Sequence, residues 1–179
     1  GGETYGVVTG AFEGGGGAEW CKKHLPADGS VTFTEMSGSL GTVGVWGPRA
    51  RGLVSSVCAA DLSNEAFPYG SVRETLIDGI PVTMFRISYV GDLGWEIYTT
   101  AEHGQRLWDL LWEAGQEHGV IAAGRGAFSS LRLEKGSRSY GADLTAEHDP
   151  HEARPRPHGT PHPRDRARAP ARRPRPPPT

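Results

Sequence analysis

The sequence has 179 residues, enough for one domain of ordinary size with a tail, and its charge is distributed unevenly. Residues 1–150 carry 11 basic and 19 acidic side chains, whereas residues 151–179 carry eight arginines and two acids. The acidic excess of the first part argues against a nucleic-acid-binding face, and no apolar run approaches the length of a membrane span. We therefore expect neither a nucleic acid nor a membrane among the partners.

The first predicted elements are short. Residues 5–9 and 31–36 are predicted to be strands, and in residues 31–36 apolar and polar side chains alternate. Residues 14–17 are four glycines, and since no Lys-Ser or Lys-Thr pair follows them, we interpret the run as a flexible loop and not as a phosphate-binding loop. A helix is predicted over residues 18–25, where Pro26 closes it.

The middle of the chain predicts a strand, a helix and a hairpin. Residues 42–46 form the strand, which ends at a Gly-Pro turn. Pro48 suits the first turn of the helix that follows, and the apolar residues of that helix share one face: Leu53, Val54, Val57 and Cys58. The hairpin strands, residues 75–77 and 81–89, flank the turn pair Asp78-Gly79.

Further signals complete the pattern. Residues 95–99 alternate and continue the sheet, residues 101–117 repeat leucines at helical spacing, and residues 129–134 end another short helix. The predicted fold class is therefore α+β, with a mainly antiparallel sheet and packed helices. The predicted core consists of Trp46, Val54, Phe85, Ile87, Leu107, Leu110 and Leu133.

The last part of the chain differs in composition from the rest. Residues 154–179 contain no Leu, Ile, Val, Phe, Tyr, Trp or Met. Without apolar side chains a segment cannot offset the entropy lost on ordering, so we predict a disordered Arg/Pro-rich tail there. The predicted domain occupies residues 1–153.

Cysteines and histidines predict no metal or redox site. Cys21 and Cys58 fit no CxxC or zinc spacing, and two such thiols are typical of a cytosolic protein, so we expect a cytoplasmic location. The histidines lack any paired helical spacing and are interpreted as surface residues: His24, His103, His118 and His148.

The stretch RISYVGDLGWEIY, residues 86–98, holds the strongest candidate for a ligand site. Tyr89 is predicted at the end of one strand and Glu96 on the next, across a turn between Gly91 and Gly94. Such a pair can stack a flat heterocycle and accept two parallel N–H bonds from its edge, which is a strong polar contact. An exposed acid on a strand is the alternative interpretation of Glu96.

Three motifs in this order and spacing resemble a known family. They are GVWGPRARGLV at residues 44–54, RISYVGDLGWEIYTTAEHGQRLWDLLWEAG at residues 86–115 and SSLRLEKG at residues 129–136. The chain is similar to the folate-binding domain shared by the glycine-cleavage T-protein and the dimethylglycine and sarcosine oxidoreductases. The resemblance implies an α+β domain that transfers a methylene or aminomethyl unit to N5 of tetrahydrofolate.

The resemblance also implies roles for particular residues and partners. Carried over position by position, it implies that Tyr89 stacks the pterin of tetrahydrofolate and that Glu96 holds the amino edge. Arg132 and Glu134, in the LRLE motif, are interpreted as members of a structural ion pair or cap. In dimethylglycine-oxidase-like relatives an FAD domain first oxidises the amine, so the implied partners are folate and an FAD-containing oxidase domain or subunit.

Departures from the family pattern limit what we expect of this chain. The family's catalytic aspartate precedes the segment equivalent to residues 5–9 and has no counterpart here, and no FAD fingerprint occurs. The family continues into a β-barrel where this chain turns to arginine and proline at Arg154. We expect a partial folate-binding domain with no catalytic residue of its own; a non-catalytic regulatory module and an inactive remnant are the alternatives.

The change at Arg154 generates a prediction about the coding DNA. A run rich in Arg, Pro, Ala and His is typical of a GC-rich message translated out of frame, so we expect the tail to result from a frameshift. Moving the reading frame by one base near codon 153 should restore an apolar continuation close to Gly-Leu-Gly-Phe. Sequencing the locus tests this, and the tail is genuine if neither alternative frame yields such a continuation.

Overall fold

A four-stranded sheet organises the computed structural model, which describes residues 3–10, 14–145, 147 and 148. The strands are β1 (Leu40–Trp46), β2 (Val72–Ile77), β3 (Ile80–Phe85) and β4 (Gly94–Thr100). Every neighbouring pair is antiparallel, in the order β1-β4-β3-β2. β4 is therefore an interior strand, paired on one side with β1 and on the other with the β2–β3 hairpin.

Four α-helices accompany the sheet within the described residues. They are α1 (Gly14–Lys23), α2 (Ala50–Val57), α3 (Gly104–Gly115) and α4 (Arg125–Lys135). Short 3-10 turns, Ala101–His103 and Gln116–His118, flank α3. α2 packs on α3, and α3 packs on β1 and β4. The expected α+β class, a mainly antiparallel sheet with packed helices, is confirmed.

The core lies between α2, α3 and one face of the sheet. Each strand sends alternate side chains to this face, so that Met84 of β3 and Trp95 and Ile97 of β4 are fully buried. The Trp95 ring lies 6.2 Å from the ring of Phe67. Further apolar residues of this core are Ala50, Leu53, Val54, Cys58, Leu62, Ile77, Ile80, Val82, Leu107 and Leu111.

The predicted core is only partly right. Val54 and Leu107 are fully buried. Four other predicted core residues are half-buried: Trp46, Phe85, Ile87 and Leu110. Leu133 is 57% exposed, so its prediction is wrong. Helix α4 instead turns Phe128 toward the tryptophan of β1 and buries Arg132, and the next position along the helix faces outward.

The two strand predictions nearest the start of the chain are wrong. Residues 5–9 and 31–36 have no regular secondary structure, and Tyr5, Val7 and Val31 are half or more exposed. An alternating pattern forms a strand only where a neighbouring strand accepts its hydrogen bonds and a core accepts its apolar side chains. Neither segment pairs with a strand of the described sheet.

The flexible loop predicted at residues 14–17 is also wrong, because α1 begins at Gly14. Glycine adopts helical φ and ψ when its neighbours favour a helix, at a cost of about 1 kcal/mol per residue relative to alanine. The contacts that favour α1 lie toward its end. Glu19 pairs with Lys22 at 3.2 Å, and the Trp20 ring stacks on His24 at a centroid distance of 4.2 Å.

The later elements follow the predictions with shifted boundaries. Asp78 and Gly79 form the β2–β3 turn, with φ values of 44° and 76°. β3 ends at Phe85, four residues before the predicted end, because the Ile87 N–H turns back to the Phe85 carbonyl at 2.9 Å. The predicted tail, residues 154–179, lies outside the described residues.

Trp95→Ala tests the packing of this core. Truncating a fully buried tryptophan leaves a cavity, so we expect the free energy of unfolding to fall by about 3–5 kcal/mol. Urea unfolding followed by circular dichroism measures the change. Trp108→Ala is the control, because Trp108 is 44% exposed on α3 and its loss should cost less than about 1 kcal/mol. Equal effects of the two substitutions would contradict the assignment.

Candidate functional site

Glu96 lies on the face of β4 that points away from the core. Since side chains alternate along a strand, the burial of Trp95 and Ile97 directs Glu96 and Tyr98 to the opposite face. Residues paired directly across neighbouring strands share a face. We define the outer face by its residues on β1, β3 and β4: Thr42, Gly44, Trp46, Thr83, Phe85, Glu96 and Tyr98.

Tyr98 holds the carboxylate of Glu96 on this outer face. The Tyr98 hydroxyl donates a hydrogen bond to Oε2 of Glu96 at 2.9 Å, and both residues are half-buried. The ring of Phe85 packs against that of Tyr98, with centroids 4.9 Å apart. Burial, and then the bond to Glu96, raises the pKa of Tyr98 above its usual value.

The indole of Trp46 lies over Gly44, the residue of β1 that is paired with Glu96. A Cβ atom at Gly44 would overlap this ring, so only glycine leaves room for it. The Trp46 Nε1–H donates to the carbonyl of Ile87 at 3.2 Å, which ties the ring to the β3–β4 connection. The outer face therefore carries an indole on the β1 side of Glu96 and the Phe85 ring on the β3 side.

Tyr89 lies half-buried in the connection between β3 and β4. Its ring stacks on Phe128 of α4 with centroids 5.3 Å apart, and Phe128 in turn lies 5.6 Å from Trp46. The Tyr89 hydroxyl donates to the carbonyl of Arg138 at 2.6 Å. The structure thus connects Tyr89 to the outer face through Phe128 and Trp46, and no contact of the described residues joins it directly to Glu96.

Arg86 anchors the β3–β4 connection at its start. This residue is 7% exposed, and its guanidinium lies over the ring of Trp95, 4.9 Å from the centroid. It also donates to Oδ1 of Asn64 at 3.3 Å, and burial lowers its pKa from the usual value. Gly91, two residues after Tyr89, has a φ of 92°, and its N–H donates to the Ser88 hydroxyl at 2.9 Å. The connection is therefore held on both sides of the tyrosine.

The loop that follows α4, residues 137–145, contacts Tyr89 through the carbonyl of Arg138. Arg132 forms an ion pair with Asp143 and donates to the carbonyl of Ser137 at 3.2 Å. The Ser139 N–H donates to Asp143 at 2.8 Å, and this bond, followed by the contact with Arg132, lowers the pKa of the Asp143 carboxyl. Arg132 thus has the structural role expected of it, whereas Glu134 is exposed.

Sequence reasoning missed four residues of this arrangement. Tyr98 was open to inference, because a residue two positions after Glu96 on a strand shares its face. Gly44 also gave a signal, since a glycine inside a strand often marks the close approach of another group. Phe128 and Asp143 gave none, because their contacts join segments distant in sequence.

The described residues form no other obvious site. No group of three or more His, Cys, Asp and Glu side chains among them is arranged to hold a metal ion. None of the described helices is both long and apolar enough to cross a membrane. Cys21 and Cys58 are free thiols. The histidines expected at the surface are exposed or half-buried: His24, His103, His118 and His148.

Comparison with known proteins identifies relatives. The family model described as the GCVT N-terminal domain matches residues 1–155. Mitochondrial dimethylglycine dehydrogenase from Homo sapiens is 36% identical over 135 residues, which are 75% of this chain and 16% of that protein. Aminomethyltransferase from Bacillus cereus (strain B4264) is 35% identical over 135 residues, 75% of this chain and 36% of that protein. The chain therefore spans well under half the length of either relative.

A solved structure was also matched. Heterotetrameric sarcosine oxidase from Corynebacterium sp. U-96, in complex with pyrrole 2-carboxylate, superposes with a TM-score of 0.45. The sequences are 22% identical in that superposition. It covers 51% of this chain and 45% of the oxidase chain.

Asp143→Asn should loosen the 137–145 loop in a pH-dependent way. Because the folded-state pKa of Asp143 is lowered, its contribution to stability is present above the unfolded value of about 3.9 and is lost as the pH falls through the folded value. We expect less amide-exchange protection at Ser139 in the variant at pH 7, and a smaller difference from wild type below about pH 4.

Nuclear magnetic resonance of the Ser139 amide measures this effect, with protection factors corrected for intrinsic exchange. Asp109→Asn is the matched control, since Asp109 accepts a side-chain bond from Gln105 on α3 and should leave Ser139 unchanged. Equal protection of Ser139 in wild type and Asp143→Asn at pH 7 would contradict the proposed role of the ion pair in ordering the loop.

Proposed function

The chain belongs to the GCVT N-terminal domain family, and from that premise we propose that its outer face binds the pterin ring of tetrahydrofolate. Its relatives include proteins named aminomethyltransferase and dimethylglycine dehydrogenase. It is thus a domain of the aminomethyltransferase family, related to dimethylglycine dehydrogenase. The folate ligand and the transfer of a one-carbon unit to it are our proposal.

The observation that carries the proposal is the half-buried carboxylate of Glu96 among aromatic rings. A pterin offers neighbouring N–H donors along one edge, and hydrogen bonds from such donors to an ionised carboxylate are short and strong. The flat ring also needs aromatic partners, and stacking on such side chains contributes about 1–3 kcal/mol per base in nucleic-acid complexes. Trp46 and Phe85 supply rings on both sides of the carboxylate, so the residues present fit a pterin.

Tyr89 is the proposed stacking residue, and its surroundings restrict how it acts. One face of its ring is already in contact with Phe128. A pterin stacked on Tyr89 must therefore use the opposite face. The bond from the hydroxyl to Arg138 fixes the ring plane before any ligand arrives, which reduces the entropy lost on binding.

The proposal gives the described residues a binding role. Tetrahydrofolate supplies an amine nitrogen that accepts a one-carbon unit. Glu96 orients the ring by its amino edge, Tyr89 holds a ring face, and Trp46 excludes water from the β1 side of the carboxylate. No described residue is assigned as a general acid or base.

The source of the one-carbon unit belongs to the same proposal. Since one relative is named dimethylglycine dehydrogenase, we propose that the unit comes from an N-methylated amine oxidised by an FAD-containing domain or subunit. The two free thiols support a cytoplasmic location, which we include in the proposal.

Glu96→Ala tests the proposed site. The substitution removes the acceptor and leaves the pterin donors unpaired in a half-buried place, so we expect a loss of about 2–4 kcal/mol, or about 30- to 1,000-fold in affinity. Calorimetric titration of the full chain with reduced tetrahydrofolate measures it. Glu74→Ala is the matched control, because Glu74 is an exposed acid on β2 and faces the same side of the sheet.

Further comparisons in the same titration complete the test. Tyr89→Phe keeps the stacking ring and should cost less than about 1 kcal/mol, since only the hydroxyl bond to Arg138 is lost. Equal affinity of wild type and Glu96→Ala would remove Glu96 from the site. Equal losses of affinity in Glu96→Ala and Glu74→Ala would mean that the negative charge of the outer face, and not a specific contact with Glu96, contributes to binding.

A further inference from the structure

We propose that Tyr98 is a positioning residue, which fixes the Glu96 carboxylate in the orientation that recognises the N–H edge of the pterin. The inference rests on the proposed function, because it concerns the same site. It goes beyond that function in assigning the recognition to a pair of residues and not to the carboxylate alone. The contact that motivates it is the hydrogen bond from the Tyr98 hydroxyl to Oε2 of Glu96 at 2.9 Å.

Tyr98 is held in place by neighbours other than Glu96. Its ring packs against Phe85 at 4.9 Å, with the planes inclined by 58°. Thr42 lies directly opposite Tyr98 on β1. Because its ring packs against Phe85 and its strand lies between β1 and β3, the Tyr98 hydroxyl is a donor at a fixed position. The flexible partner of the pair is therefore the carboxylate, which adopts the orientation that the hydroxyl dictates.

The contact leaves Glu96 able to bind a ligand. An ionised carboxylate has about four acceptor positions on its two oxygens, and Tyr98 uses one of them on Oε2. Both oxygens can still accept N–H donors from a ligand. A neutral phenol is required for the donation, and tyrosine is neutral at pH 7 because its ordinary pKa is about 10.

The expected benefit is preorganisation. A glutamate side chain has several rotatable bonds, and a free one loses much of that freedom when a ligand orders it. If Tyr98 orders the Glu96 side chain before the ligand binds, binding no longer costs this conformational entropy. Affinity then rises without any contact between Tyr98 and the ligand. Removing the hydroxyl should therefore weaken binding only while Glu96 is present.

A double-mutant cycle with Tyr98→Phe and Glu96→Ala tests this dependence. Tyr98→Phe keeps the ring that packs on Phe85 and removes only the hydroxyl. In the full chain titrated with reduced tetrahydrofolate, we expect Tyr98→Phe to weaken binding by about three- to tenfold. In the Glu96→Ala background the same substitution should change affinity by less than about twofold. Tyr140→Phe, at a tyrosine that is 56% exposed, is the control.

Each result of the cycle has a distinct meaning. If Glu96→Ala binds like wild type, the proposed function and the inference that rests on it both fail. If Glu96→Ala weakens binding and Tyr98→Phe does not, only the positioning role is overturned. If Tyr98→Phe weakens binding equally in both backgrounds, Tyr98 acts independently of Glu96, and the inference is likewise overturned.

A measurement without ligand covers the case in which Glu96→Ala binds too weakly to titrate. Three-bond couplings in nuclear magnetic resonance report the side-chain rotamers of Glu96 in the free protein. We expect one dominant rotamer in wild type and averaged couplings in Tyr98→Phe. Unchanged couplings would overturn the positioning role. Urea unfolding of each variant establishes that the fold is intact.

Discussion

The burial of Trp95 is the interaction on which the position of the candidate site depends. Its indole contacts the Phe67 ring and the Arg86 guanidinium inside the core, so β4 has one acceptable register. A slip of one residue would expose the indole to water and bury a carboxylate, and each change is costly. Glu96 and Tyr98 face outward because Trp95 faces inward. The core and the candidate site therefore lie on opposite faces of β4.

The two halves of the site rest on supports of different strength. The Glu96 half belongs to an interior strand of the sheet. The Tyr89 half depends on α4 and the loop after it, where Phe128 and the Arg138 carbonyl make the contacts. Within α4, Arg132 is the one buried residue, whereas α2 and α3 bury three each. Elements with few buried contacts open at lower free energy than the core, so the Tyr89 half is the more easily loosened part.

Local patterns in the sequence were sufficient for the parts of the fold that depend on neighbouring residues. Alternation identified β4 and placed Glu96 on it, and the pair Asp78-Gly79 marked the hairpin. The strand predictions failed at residues 5–9 and 31–36, because the pairing of a strand is decided by residues far away in the chain. The partner of Tyr89 was equally hidden, since Phe128 reaches it only through the packing of α4. Both failures concern contacts between segments that are far apart in the chain.

The overlap between Gly44 and Trp46 has a consequence for how this surface can change over generations. A side chain at position 44 and the indole in its present place exclude one another. A mutation of the glycine alone displaces the ring, and replacing the tryptophan alone leaves a gap above the glycine. Either single substitution therefore disturbs the packing of this surface, and we expect the residues at positions 44 and 46 to change together.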